Sequence, residues 1–269
     1  MKKIFYLMCC VLTAFLVGCE SSEPSGSSEN SSASAKRFSV SATKTVTFSP
    51  GNLQYHAANN EWRFAPNQTD YIGRCFGGHC EIEIYTDNGW IDMFGWGTGN
   101  NPTNNSKNDE DYSIFVDWGV NKIGNYAPNT WRTLTGEEWE YLISKRVNAY
   151  DLIGIAQVDG VAGLIILPND WKCPIGVAFK SGFANFDGKI GLYQNFTASD
   201  WSKLEASGAV FLPAGRSSIS EDPSSELGYY WTASEYNKDI AVDVHFYSVG
   251  MYVRGGKRVY GHSVRLVKD

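Results

Sequence analysis

The sequence predicts an α+β domain of mainly short antiparallel strands, with two short helices and long loops. Three observations lead to this class. Apolar residues recur at alternate positions in short runs, the period of a strand with one buried face. Gly, Asn and Pro punctuate those runs, as at residues 95–111. Only two segments carry the start signals of a helix, so the alternation of strand and helix that builds a parallel sheet is missing.

Strands are expected at residues 38–41, 45–48, 62–65, 163–167, 209–213, 229–233, 240–247, 251–254 and 263–267. The first helix, over 136–144, opens on Thr135-Gly136-Glu137-Glu138. There a hydroxyl and a carboxylate three residues apart satisfy each other's backbone amides, and Trp139, Leu142 and Ile143 fall on one face. The second, over 199–206, takes Ser199 as its cap and Asp200 in its first turn; Trp201 and Leu204 share a face, and Gly208 follows as terminator.

The 269 residues are 43% hydrophobic, which excludes disorder throughout. Nine Trp, 15 Tyr and 14 Phe against 4 His favour a binding surface over a site dense in acid-base or metal ligands. A net charge of −6 argues against a nucleic-acid partner, whose phosphates need a basic face. No cofactor is expected.

Residues 1–18 read as a secretion signal, with Lys2 and Lys3 before the apolar run Ile4 to Val17. Leu16-Val17-Gly18-Cys19 resembles the lipobox of bacterial lipoproteins, which implies cleavage before Cys19 and acylation of that cysteine. Several acyl chains make a stable anchor. Residues 19–36 are Ser-rich without apolar periodicity and form a flexible tether. One domain is expected over 37–269.

Cys75 and Cys80 flank Phe76-Gly77-Gly78-His79 and can close a small disulfide loop in an oxidising compartment. A zinc site is disfavoured because no second ligand pair accompanies them. Asn169 and Asp170 offer oxygens of the kind calcium takes, but one such pair more readily caps a turn. Glu137 and Glu138 sit at a helix start, where the dipole explains them without glycosidase chemistry. There is no Gly-x-Ser-x-Gly elbow, P-loop or His-Glu-x-x-His pair. The four histidines His56, His79, His245 and His262 are scattered, with no positive signal for a triad.

Six segments, in this order, resemble the Fibrobacter-type major paralogous domain family of the C-type lectin-like and formylglycine-generating-enzyme superfamily. They are Phe48-Ser49-Pro50-Gly51-Asn52-Leu53-Gln54-Tyr55, Trp90-Ile91-Asp92-Met93-Phe94-Gly95-Trp96-Gly97, Trp131-Arg132-Thr133-Leu134-Thr135-Gly136-Glu137-Glu138-Trp139, Leu164-Ile165-Ile166-Leu167-Pro168, Tyr230-Trp231-Thr232-Ala233-Ser234 and Ser263-Val264-Arg265-Leu266-Val267. The resemblance covers nearly all of 45–269 and implies a C-type lectin-like fold. The enzyme branch keeps a C-x4-C pair near the C-terminal part of the domain. Here that spacing falls in the first third, so catalysis is not carried over. The Glu-Pro-Asn, Gln-Pro-Asp and Trp-Asn-Asp sugar-binding motifs of the superfamily are also missing.

In residues 240–247, Val242, Val244 and Phe246 alternate with Asp243, His245 and Tyr247, so the first set is expected inside and the second outside. Met251 and Val253 against Tyr252 and Arg254 continue the pattern, and Gly255-Gly256-Lys257 is expected to form a loop. The stretch from Gly228-Tyr229-Tyr230-Trp231 to Tyr260-Gly261-His262-Ser263 resembles the variable region of diversity-generating retroelement target proteins. That resemblance implies a ligand-contact set of Asp243, His245, Tyr247, Tyr252, Arg254, Gly255, Gly256 and Tyr260, to which Trp231 is added. The expectation is a non-catalytic, lipid-anchored outer-membrane protein whose face over 229–262 binds a protein or glycan. An envelope enzyme and a surface or fimbria-associated component are the alternatives.

Overall fold

The computed structural model describes residues 36–73, 75–76, 79–80, 88–183, 194–215, 228–247 and 249–269. The leader, Cys19 and the tether before Lys36 lie outside the described residues, as do the side chains of Cys75 and Cys80. The strands in chain order are β1 (Phe38–Ser39), β2 (Thr45–Phe48), β3 (Leu53–His56), β4 (Glu61–Phe64), β5 (Cys75–Phe76), β6 (His79–Cys80), β7 (Trp90–Ile91) and β8 (Ile153–Val158). They continue as β9 (Val161–Ile166), β10 (Gln194–Phe196), β11 (Val210–Pro213), β12 (Gly228–Glu235), β13 (Ile240–Tyr247), β14 (Gly250–Lys257) and β15 (Val267–Lys268). The helices are α1 (Gly136–Glu140) and α2 (Ala198–Ala206), with short 3-10 turns elsewhere. The fold class is α+β, as the sequence predicts.

The strands form small sheets ordered β1-β2-β15, β4-β3-β7, β10-β8-β9-β11 and β12-β13-β14, with β5 and β6 as a two-stranded ribbon. Only the β8–β10 pair is parallel among these ladders. In the ribbon Cys75 stands opposite Cys80 in the backbone register. No described helix is long and apolar enough to cross a membrane.

Strands β2 and β13 keep the expected bounds, and most others shift by one to three residues at an end. Strands β3, β5, β6, β7, β8 and β10 are additional to those the sequence predicts. In β8 five of six residues are buried, because the sheet is covered on both sides and no alternation remains to be read. Ile153, Ile155, Leu164, Ile166 and Leu212 face one core with Phe38, Trp139 and Phe246. Ala156, Val158, Ile165 and Phe211 face a second, closed by Trp201 and Leu204 of α2. The expected strand at 263–267 is reduced to β15 at its end, with a lone bridge from Ser263 to Tyr230.

Helix α1 carries the capping box that its sequence announces: Glu138 N–H donates to Thr135 Oγ1 at 3.2 Å and Thr135 N–H to Glu138 Oε2 at 3.0 Å. Its continuation to Ser144 is corrected, since from Tyr141 to Lys145 the turns widen into a π-helix. For α2 the cap is Thr197, not Ser199; its hydroxyl accepts from Asp200 N–H at 3.2 Å. Glu138 also accepts a bidentate pair of bonds from Arg132 at 2.7 and 2.9 Å. That carboxylate therefore works as a structural anchor. Asn169 is likewise engaged, accepting from Ser39 N–H at 3.1 Å and donating to Ser39 Oγ at 2.8 Å.

Among the described residues three arginines are buried and act as internal staples. Arg146 donates to the Leu167 carbonyl at 2.8 Å, and burial lowers its guanidinium to about 10. Arg265 donates to Gln68 and, at 3.4 Å, to Asn52, and is lowered to about 10 by the same cause. Arg258 lies with its guanidinium carbon 4.4 Å from the Trp96 ring centre and donates to Glu235 at 2.8 Å and the Tyr112 carbonyl at 3.1 Å.

Thr135→Ala removes one half of the capping box at the helix that packs on the main core. We expect a loss of about 1 kcal/mol in stability, read as a lower urea midpoint with unchanged slope; an unchanged midpoint would mean the cap contributes nothing.

Candidate functional site

Strands β12, β13 and β14 form a meander whose register sets two faces. Tyr230, Val244 and Phe246 point into the main core, as the alternation predicts, while Val242 is half-buried. On the opposite face Tyr229 stands beside His245 and Tyr252, Trp231 beside Asp243 and Arg254, and Tyr247 beside Gly250. Of the expected contact set, Trp231, Asp243, His245, Tyr247, Tyr252 and Arg254 are thus brought onto one face and then separate by depth, while Gly255, opposite Val242, falls on the other face and Tyr260 lies beyond the sheet.

His245, Tyr247 and Tyr252 are half-buried and Arg254 is exposed. Their rings form a continuous row. Tyr229 and His245 have centres 5.6 Å apart, His245 and Tyr252 5.5 Å, and Tyr252 and Tyr247 5.7 Å. The last two pairs stack with interplanar angles of 30° and 19°. Tyr247 Oη donates to Tyr252 Oη at 3.3 Å, and the Arg254 guanidinium lies over the Tyr252 ring at 4.5 Å. The bond to Tyr252 and partial loss of water push the Tyr247 phenol above its ordinary value, against the opposing charge of Arg254.

Two members of the expected set are corrected. Asp243 is 3% exposed and Trp231 1%, so neither forms the outer surface. The chain returns after β14 and lays His262 across them, fixed by backbone bonds in both directions between Phe94 and His262 at 3.0 and 3.1 Å. The Trp231 ring stacks on His262 at 4.0 Å and its indole N–H donates to the Phe94 carbonyl at 2.6 Å. His245 Nδ1 donates to Asp243 Oδ1 at 2.9 Å, and His262 Nε2 lies 3.5 Å from Oδ2. Burial pushes the Asp243 carboxyl up, but the hydrogen-bonding and charge of the two histidines outweigh it and hold the acid below its ordinary value. Tyr229 responds oppositely, raised by burial and by the Asp243 charge.

The Gly255-Gly256 loop is also corrected, because β14 runs through both residues to Lys257. A Cβ on Gly256 would sit 2.4 Å from Asp243 Oδ2, so this glycine clears room for the carboxylate. Gly255 is exposed, and a Cβ there would meet Ile240 at 2.5 Å. Tyr260 is half-buried, packing beside the aromatic core with its ring 6.3 Å from His262. Sequence reasoning missed two participants. Tyr229 had a signal, since alternation along β12 puts it in step with Trp231; His262 had none, because nothing local predicts that the last segment folds back.

The arrangement offers a rigid aromatic row with hydroxyls and a guanidinium along its outer rim. The Asp243–His245 bond is also the positioning half of a general base, but among the described residues no hydroxyl or thiol is hydrogen-bonded to His245. No group of three or more His, Cys, Asp or Glu among the described residues could hold a metal ion. No protein-family model, curated protein or solved structure matches the chain.

The depressed Asp243 acid gives a signed pH dependence. Its ionised form contributes stability that is present above the unfolded value of about 4 and is lost as pH falls through the folded value. Urea midpoints of the wild type should therefore drop more steeply in acid than those of Asp243→Asn. At pH 7 the variant should be less stable by about 1–3 kcal/mol, as buried partners lose an acceptor. Parallel acid limbs would show that Asp243 carries no such linkage.

Proposed function

We propose that this chain is a lipid-anchored, non-catalytic binding protein of the cell envelope, with a C-type lectin-like fold and a ligand face on the outer side of β12, β13 and β14. The observation that carries the reading is the continuous ring row of Tyr229, His245, Tyr252 and Tyr247 with Arg254 laid over Tyr252. Tyr supplies large, rigid contact area at small entropic cost, and Arg adds directional bonds; both are enriched where binding energy concentrates. Stacking removes rotamer freedom before any ligand arrives, which lowers the cost of association. A protein or glycan ligand fits these groups, whereas the acidic chain disfavours nucleic acid.

The lipobox-like segment ending in Cys19 supports tethering to the outer membrane, with residues 20–36 as spacer. The resemblance to diversity-generating retroelement targets supports the same face, because there the apolar frame is kept while outward positions vary. Asp243, Trp231 and Gly256 then belong to the frame, and His245, Tyr247, Tyr252 and Arg254 to the contact surface.

Screening the protein on glycan and protein arrays should return a ligand whose capture is lost in Tyr247→Ala/Arg254→Ala. Because both side chains lie at the solvent boundary, the double variant should keep its stability within about 0.5–1 kcal/mol. Capture that survives the double substitution would overturn the assignment of the face, and turnover of a captured ligand would favour an envelope enzyme. His245→Ala is the poorer probe, since it also strips a partner from the buried Asp243. For the anchor, Cys19→Ser should move the protein from the membrane to the soluble fraction and abolish the mass added by acyl chains; unchanged partitioning would exclude lipidation there.

A further inference from the structure

The segment 169–183, between β9 and β10, carries the most exposed large apolar side chain among the described residues. Ile175 is 99% exposed, against 83% for Val147, the next. It stands on a built support. Val177 N–H donates to the Pro174 carbonyl at 3.3 Å, closing a turn over Pro174-Ile175-Gly176-Val177. Gly176 takes the third position with φ +80°, which a type II turn demands. On either side in sequence Trp171 and Phe179 pack edge to face at 5.6 Å and rest on the core closed by α2. The Trp171 indole N–H donates to Ser207 Oγ at 2.8 Å. An apolar side chain held out in this way contributes no burial to the fold.

The same end of the domain receives the chain from its N-terminal side. Lys36 Nζ donates to the Glu205 carbonyl at 3.0 Å and to that of Ala206, in the last turn of α2. Asn169 N–H, two residues before Trp171, donates to the Arg37 carbonyl at 3.0 Å. The entry point and the Ile175 turn thus share one support, the end of α2. From Cys19 to Lys36 are seventeen positions, and a Ser-rich chain of that length spans on the order of 20–25 Å. A bilayer holding Cys19 is therefore within reach of this end. Charge does not oppose the contact. Residues 171–183 contain no acid, Lys172 and Lys180 are exposed, and a Cβ on Gly176 would lie 3.9 Å from Lys203 Nζ. Over 36–37, 169–183 and 198–206 there are five cations and three acids, the acids being Asp170, Asp200 and Glu205.

We propose that the Ile175 turn seats the folded domain on the bilayer that holds its acyl chains, with Ile175 entering the acyl boundary and Lys172 and Lys180 among the headgroup phosphates. The inference rests on the proposed lipid anchor at Cys19 and adds a second contact with the same membrane. One buried Ile favours partitioning by roughly tenfold to a hundredfold, too little to hold a free protein. For a tethered domain it suffices, because the tether makes the contact intramolecular at an effective concentration near the millimolar range. Lys stems lie along the apolar layer while their tips stay in water.

Cys173 is exposed two residues from Ile175, so a polarity-sensitive fluorophore on its thiol reports where the turn sits. The whole acylated protein is placed in vesicles of phosphatidylethanolamine and phosphatidylglycerol, with Cys173→Ser taken through the same labelling as background. Emission should shift to the blue and be quenched by nitroxide-bearing lipid. Ile175→Glu should remove both effects and leave the melting temperature unchanged, as expected of an exposed position. Lys172→Gln/Lys180→Gln should lower the ratio of membrane-facing to water-facing label by about fivefold to thirtyfold. A vesicle-bound, acylated protein whose label stays in water, or a shift that survives Ile175→Glu, would overturn the proposal. Should the purified chain carry no acyl mass, the anchor fails separately: a shift with vesicles at high lipid would still support the turn as a membrane contact, and no shift would overturn both. A shift without vesicles that grows with protein concentration would instead assign the turn to a second copy of the chain.

Discussion

A buried carboxylate sets the terms for the C-terminal half of this protein. Asp243 sits in the central strand of its sheet with 3% of its surface exposed, and an ion so placed must be surrounded by donors. His245 meets one oxygen and His262 approaches the other. The demands of that one group reach far along the chain. His245 is turned so that its ring joins the outer row, Gly256 is left without a side chain, and His262, held by backbone bonds to Phe94, closes over the carboxylate. The order of the aromatic face is a consequence of satisfying a charge beneath it.

The same economy runs through the rest of the fold. Short strands leave many carbonyls outside any ladder, and buried arginines collect them: Arg146 from Leu167, Arg258 from Tyr112. Guanidinium is suited to this because it offers five donors in a fixed plane and stays charged even when burial lowers its pKa to about 10, as at Arg146 and Arg265. Loops that would otherwise need a sheet are thus held by side chains. Glu138 serves similarly, closing the cap of α1 while holding Arg132, which also reaches Asp269 at the chain end. Charged residues that in a sequence look like candidate chemistry are here spent on architecture.

Strand β14 has a different role on each of its sides. Its outward residues, Tyr252 and Arg254, complete the aromatic row, while Met251 and Val253 pack against the main core. The Gly255–Gly256 pair lets that strand continue where larger residues would collide with Ile240 and Asp243.

Local rules are legible in the order of residues alone. Alternation over 240–247 fixed which residues share a face, and Thr135 with Glu138 fixed the start of α1, because both depend on neighbours a few positions away. It also placed Tyr252 and Arg254 with His245. Depth depends on how distant segments pack. Asp243 and Trp231 follow the same alternation as Tyr247, yet they are covered by His262, which lies nineteen and thirty-one positions further on. Strand β8 escaped notice for a related reason: α2 and the main core close over both its faces and erase the polar half of the pattern. Periodicity reports which way a side chain points, and what lies above it is set by contacts between segments that no local pattern records.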